Sequence, residues 1–222
     1  VITAPAFPEE EGFGPQTDGG RGGRVIEVTN LNSEGPGSLR EAIEAAGPRI
    51  VVFRVAGTIE LHKELKITNP HITIAGQSAP GEGITIKNHE LSIRTHDVIV
   101  RYLRIRIGPT GENDSLSLIG AENVILDHNS FSWATDEVTS ATQGSRNITL
   151  QWNIISEGLR NSTHPEGAHS MGSLFSGVTN LSLHHNLYAH NDSRNARVGN
   201  SYNLFVTQVV DVVNNVFYNW VD

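Results

Sequence analysis

Asn123-Val124-Ile125-Leu126-Asp127-His128-Asn129-Ser130-Phe131 decides the fold, because the chain repeats its pattern. A β-prone run, one asparagine and a second short apolar run return as Asn147-Ile148-Thr149-Leu150-Gln151-Trp152-Asn153-Ile154-Ile155. They return again as Asn180-Leu181-Ser182-Leu183-His184-His185-Asn186-Leu187-Tyr188, and more loosely around Val212-Val213-Asn214-Asn215-Val216-Phe217. The asparagines at 129, 153, 186 and 215 are 24, 33 and 29 residues apart. Upstream, Val98 to Arg106 fits the same frame with Leu103 in the asparagine position, and Ile72-Thr73-Ile74-Ala75-Gly76 reads as a still earlier strand. Cores that match while the insertions between them vary are the mark of stacked coils with loops on one side.

The implied architecture is all-β, a right-handed parallel β-helix. Each coil lays its strands on the previous one at the ~4.8 Å spacing of a β-ladder. The repeated asparagine is expected to take the left-handed conformation that turns the chain, with its amide bonding neighbouring backbone. Stacked coil upon coil, these amides form a ladder that satisfies buried polar groups. A sandwich of hairpins would need Asn-Gly or Asp-Gly turns between the cores, and the cores are not joined that way.

Residues 1–222 read as a single domain. Residues 1–24, with Gly19-Gly20-Arg21-Gly22-Gly23-Arg24, form an extended, loop-rich leading segment. Residues 38–46 are expected to be a helix capping the first coil: Ser38 and Glu41 have capping-box spacing, Leu39, Ala42, Ile43 and Ala46 share a face, and Gly47-Pro48 ends it. After the last strand come Asn219-Trp220-Val221-Asp222 with no second cap. The expectation is therefore a monomer able to associate end to end through that uncapped end.

Composition narrows the function. A formal net charge of -8 argues against nucleic acid as a partner, which would call for a basic surface. It also requires that any polyanionic ligand be held by local cations or a metal. No apolar run is long enough for a membrane span, and cysteine is absent. Val1-Ile2-Thr3-Ala4-Pro5 is not a signal peptide, and the chain reads as a mature secreted protein, extracellular or periplasmic, whose signal has been removed.

Three places carry candidate chemistry. Asp114 lies 22 residues before Asp136-Glu137, close to one coil, so the carboxylates could sit nearly above one another. Clustered carboxylates without cysteine suit a hard, oxygen-ligated cation, calcium over zinc. Spacing alone favours the plainer assignment, in which Asp114 satisfies a turn and Asp136-Glu137 are solvated loop charges. Asp127 is a rival ligand within the repeated core. Arg194 and Arg197, in Asn191-Asp192-Ser193-Arg194-Asn195-Ala196-Arg197, can hold a carboxylate-bearing substrate or be surface salt bridges. Arg160 is the third, because Asp136, Arg160 and Arg194 each follow a ladder asparagine by seven or eight residues and should line one groove. His184 and His185, adjacent in a strand, are expected to diverge and to be structural. His164 and His169 lie in the long insertion and could reach the groove, and no three-ligand zinc set is evident.

With these residues in hand, the chain resembles the pectate lyases of polysaccharide lyase family 1. The resemblance rests on Gly35 to Ile43 (GPGSLREAI), Ile72 to Ile84 (ITIAGQSAPGEGI), Val98 to Gly108 (VIVRYLRIRIG) and the runs ILDHNSFSWATDE, NITLQWNIISEGL, LSLHHNLYAHNDSRNAR and VVNNVFYNW. It covers nearly the whole chain from Gly12. The resemblance implies a parallel β-helix that cleaves polygalacturonate by calcium-assisted β-elimination. It places the calcium aspartates on Asp114 and Asp136, the proposed catalytic arginine on Arg194 and a substrate-binding lysine on Arg160. A third family aspartate falls on Ser140, leaving Glu137 to compensate as a ligand. The family's Arg-X-Pro-X-X-Arg reads Arg194-Asn195-Ala196-Arg197-Val198-Gly199, so Arg197 would supply the second substrate contact. The competing readings are a non-catalytic polysaccharide-binding β-helix and a metal-independent pectin lyase.

Overall fold

The asparagine-centred repeats become coils of a solenoid walled by three parallel sheets, and those centred on Asn129, Asn153 and Asn186 contribute one strand to each sheet. The computed structural model describes residues 5–8, 10–14, 17–109, 113–200 and 206–221. The sheets have eight, seven and six strands, and all the strand pairs are parallel. The eight-stranded sheet includes Glu122–Asp127, Arg146–Gln151 and Thr179–His184, in register through Val124, Ile148 and Leu181. The seven-stranded sheet carries the runs that follow the ladder asparagines, among them Ser130–Ser132, Ile154–Ser156 and Leu187–Ala189. Inward residues of every coil, such as Leu126, Phe131, Leu150, Ile155, Leu183 and Tyr188, form one continuous core.

The ladder is closed by amide hydrogen bonds. Asn129 Nδ2 donates to Asn153 Oδ1 at 3.1 Å, Asn153 Nδ2 to Asn186 Oδ1 at 3.0 Å, and Asn186 Nδ2 to Asn215 Oδ1 at 3.0 Å. At its lower end the Leu103 amide donates to Asn129 Oδ1 at 2.9 Å. The left-handed residue is not the ladder asparagine, however. It is the residue before it: Tyr102, His128, Trp152, His185 and Asn214, with φ between 55° and 56°. The reason is burial. The asparagine must point its amide inward, so the turn falls one position earlier, where the side chain points out. There Tyr102, His128, Trp152 and His185 stack with centroids 4.8, 5.9 and 4.3 Å apart. Left-handed asparagines do occur in a second column, Asn123, Asn147 and Asn180, linked by amide bonds of 2.9 and 2.8 Å.

The capping helix spans Leu39–Glu44, shorter than 38–46, with Ala46 exposed beyond it. Ser38 Oγ accepts from the Glu41 amide at 3.2 Å, and Glu41 Oε2 accepts from the Gly37 amide at 2.7 Å. Arg49, fully buried, donates to the Ala42, Ile43, Gly47, Asn69 and Pro70 carbonyls, so one guanidinium satisfies the helix end and the turn above it.

The leading segment straps the outer face of the eight-stranded sheet. The Gly20 amide donates to Thr73 Oγ1 and the Gly14 amide to Thr149 Oγ1, each at 2.9 Å. Outward-facing Ile99, Ile125, Thr149 and Ser182 are buried beneath it. Glycine is needed for the approach: a Cβ on Gly20 would lie 1.8 Å from the Arg49 carbonyl oxygen.

Candidate active site

The six-stranded sheet positions the candidate residues. Its strands Leu116–Ile119, Glu137–Thr142, Met171–Ser176 and Arg197–Gly199 lie side by side, and Asp114, Glu137 and Arg194 fall at or just before the starts of three of them. Leu116 pairs with Thr139, so Asp114 lies opposite Glu137 rather than opposite Asp136. The coil step here is 23 residues, which shifts the stacking by one position from that expected. Asp114 Oδ1 accepts from the Glu137 amide at 3.1 Å, and Ser140 Oγ donates to Asp114 Oδ2. Asp114, Asp136 and Glu137 nevertheless present carboxylate oxygens within 4.8 Å of one another.

Burial pushes the Asp114 carboxyl well above the usual aspartate range, and the neighbouring Asp136 and Glu90 carboxylates push it the same way. Glu90, one coil below and bonded by Ser117 Oγ at 3.0 Å, is also raised, chiefly by burial. Crowded carboxylates that resist ionisation favour a cation between them. An all-oxygen donor set fits a hard divalent ion such as calcium, with Asp114, Asp136 and Glu137 as the holders. Asp127 is not part of this set. It is fully buried in the eight-stranded sheet, where Arg101 Nε donates to it at 2.6 Å and Gln151 Nε2 at 2.7 Å.

Arg194 is left-handed (φ 55°), and its carbonyl accepts from the Ser173 amide at 2.6 Å. Its guanidinium pairs with Glu137, a nearly buried side chain. Desolvation lowers the Arg194 pKa below the usual arginine value, and the positive charge of Arg197 lowers it further. The cation acting on Arg194 is thus Arg197. Arg160 lies along the same edge but is turned to Asp192, with which it pairs. Gly172 lets the arginine loop pack closely, since a Cβ there would meet Asn195 Oδ1 at 2.7 Å and the Arg194 oxygen at 2.8 Å.

Sequence reasoning missed Asn191 and Asp192, and it named the histidines of the insertion without a partner. Buried Asn191 accepts from the Gly158 amide at 3.0 Å and donates to the Ile155 carbonyl at 3.1 Å, anchoring the arginine loop. Its place five residues after Asn186 was the available signal. The insertion folds back so that His164, His169 and Asp136 bring three ligand atoms within 4.8 Å, a nitrogen-bearing set that spacing did not reveal. His184 and His185 do not diverge: their Nδ1 atoms are 3.0 Å apart, because His185 sits in the left-handed turn rather than in the strand.

Fold and site together define a parallel β-helix with carboxylates and arginines clustered along one sheet. Known proteins place it more narrowly. The chain is 42% identical over 218 residues to probable pectate lyase C of Aspergillus terreus, covering 97% of this chain and 48% of that protein. The Aspergillus fumigatus protein of the same name is 42% identical over 223 residues, 99% of this chain and 49% of its own length. Probable pectate lyase 9 of Arabidopsis thaliana is 33% identical over 164 residues, covering 64% of this chain and 36% of that protein. Over nearly its whole length the chain is similar in sequence to these fungal proteins. It spans about half the length of the fungal relatives. No protein-family model matches it. Among solved structures, Jun a 1, the major cedar-pollen allergen, superposes with a TM-score of 0.58 at 22% identity, covering 82% of this chain and 63% of that one. A pectate lyase from Bacillus sp. N165, solved with trigalacturonate, gives 0.56 at 18% identity, with 95% and 87% covered. These two likenesses are of fold.

Proposed function

We propose that the chain acts as a secreted, calcium-dependent pectate lyase that cleaves polygalacturonate by β-elimination to 4,5-unsaturated oligogalacturonides. The observation that carries this reading is the convergence of Asp114, Asp136, Glu137 and Arg194 on one edge of a β-helix homologous to pectate lyases. The trigalacturonate bound by the Bacillus enzyme supports an acidic polysaccharide as the substrate class.

Asp114, Asp136 and Glu137 would hold the calcium ion. Bound there, it supplies Lewis-acid stabilisation to a uronate carboxylate as negative charge builds beside it. Arg194 takes the C5 proton. The C5–H electron pair becomes the C4–C5 double bond, and the glycosidic C4–O bond breaks, its oxygen picking up a proton from solvent. An arginine acts as base only when its pKa is depressed from the usual arginine value, and desolvation and Arg197 both act in that direction. The Asp136 and Asp114 carboxylates act against it, and the Glu137–Arg194 pair must open before proton transfer. Arg197 and Arg160 bind substrate carboxylates, Arg160 after leaving Asp192.

The test is absorbance of the unsaturated product on polygalacturonate, with added calcium and then with chelator, alongside Arg194→Ala. Calcium-dependent product lost in the variant supports the reading. Folded protein that binds polygalacturonate without forming product points to a binding module, and chelator-insensitive cleavage of methyl-esterified substrate to a pectin lyase.

A further inference from the structure

The step from Asn153 to Asn186 is 33 residues, against 24 for the step before it. The extra length carries His164 and His169, both nearly buried, back onto Asp136. His169 Nε2 faces Asp136 Oδ1 at 3.6 Å and Glu166 Oε2 at 3.8 Å, while His164 Nε2 faces Asp136 Oδ2 at 3.9 Å. The two rings lie against each other with centroids 3.7 Å apart. These nitrogen–oxygen separations are too long for hydrogen bonds. They are close to the roughly 3.4 Å that separates two ligand atoms each ~2.1 Å from a tetrahedral ion.

Tautomers sharpen the point. His169 Nδ1 lies 3.1 Å from the Gly167 carbonyl and donates to it, so in the neutral ring the Nε2 lone pair faces carboxylates. A lone pair held against carboxylate oxygens is repulsive unless a cation lies between them. A backbone carbonyl behind the ring is also the support that metal-bound histidines use. His164 is set differently. Its Nδ1 accepts from the Glu166 amide at 3.3 Å, so binding through Nε2 requires it to give up that long bond.

We propose that Asp136, His164 and His169 form a site for a divalent transition-metal ion of the zinc and cobalt class. His169 is the stronger imidazole ligand and His164 the weaker. Imidazole selects such ions over calcium, which the oxygen-only set takes. Because Asp136 belongs to both sets, the two ions compete. A zinc-class ion clips the insertion onto the coil below and weakens calcium binding. The site stands on its own ligands whether or not the chain is a lyase.

The experiment titrates metal-free protein with cobalt(II), followed by visible absorption and equilibrium dialysis, and repeats it on His169→Ala, His164→Ala, Asp114→Asn and His185→Ala. Ring-proton signals of wild-type histidines are followed by NMR in parallel. The expected result is one cobalt ion with a visible band, weakened roughly tenfold or more by His169→Ala and less by His164→Ala. Asp114→Asn and His185→Ala leave it intact. Calcium binding by calorimetry should survive both insertion variants and fall when zinc is present. Cobalt binding unchanged in His169→Ala, or lost only in Asp114→Asn or His185→Ala, overturns the proposal. So does the absence of binding by wild-type protein. Should the alanine variants unfold, paramagnetic shifts of the His164 and His169 ring protons decide it, and unshifted rings overturn it.

Discussion

Glu137 holds the guanidinium of Arg194 across the coil that begins at Met171, so the two charges bind together strands that are not adjacent in their sheet. Glu137 is nearly buried and Arg194 partly so. Breaking a fully buried pair costs about 3–5 kcal/mol, because one charge is left uncompensated. Arg194 keeps some access to water, so Glu137→Gln should cost about 2 kcal/mol, read from the denaturant midpoint. The same variant should bind calcium more weakly by calorimetry. An unchanged midpoint would mean that the pair does not form in solution.

The carboxyl of Glu90 gives a pH signature. Burial raises its folded pKa above the ordinary 4.5. The folded state therefore keeps its proton to higher pH than the unfolded chain does. The resulting stability is fully present below 4.5 and is lost as pH rises through the folded value. Glu90→Gln, a neutral mimic of the protonated form, removes this dependence. Relative to wild type, the variant should gain stability as pH is raised from 4 towards 7 in unfolding titrations. A difference that is flat with pH would refute the assignment.

Asn153 is the ladder residue with most to lose. Its Nδ2 donates to the Leu126 carbonyl at 2.9 Å and to Asn186 Oδ1, while its Oδ1 accepts from the Asn129 amide at 2.9 Å and from Asn129 Nδ2. Asn153→Ala strands buried groups on two coils, at roughly 1–3 kcal/mol each. A loss of about 3 kcal/mol or more is expected in chemical denaturation. A loss under 1 kcal/mol would show that the ladder relaxes around the gap.

Gly20 tests the strap. An alanine methyl there collides with the Arg49 carbonyl, so the segment must lift. Gly20→Ala should raise hydrogen exchange at the Gly14 amide and speed proteolytic cleavage within residues 5–20, while the coils beneath keep their protection. Wild-type cleavage rates would show that the segment is held elsewhere.

The stack was legible because its signal is local: one asparagine in a fixed frame, repeated. The cap was legible for the same reason, since Ser38 and Glu41 are three residues apart. What escaped depends on how coils meet. The turn falls at His128 and Trp152 rather than at Asn129 and Asn153 because the inward face is reserved for the amide, which no single repeat discloses. The carboxylates at 114, 136 and 137 could be grouped by counting, but the 23-residue step that sets Asp114 against Glu137 could not. Likewise, the folding of His164 and His169 onto Asp136 follows from the path of an insertion. That path is set by tertiary packing and has no period to read.

The strap also has a history written into its contacts. The Glu11 amide reaches Gln151 at 3.3 Å and the Gly14 amide reaches Thr149, partners 140 and 135 positions further along the chain. Glu11 and Gly14 have no partners to settle on until those later coils are stacked. These residues thus find their place only after coils far along the chain have formed. Assembly proceeds with a loose thread that is drawn down when the sheet beneath it is complete, and such distant pairings slow folding.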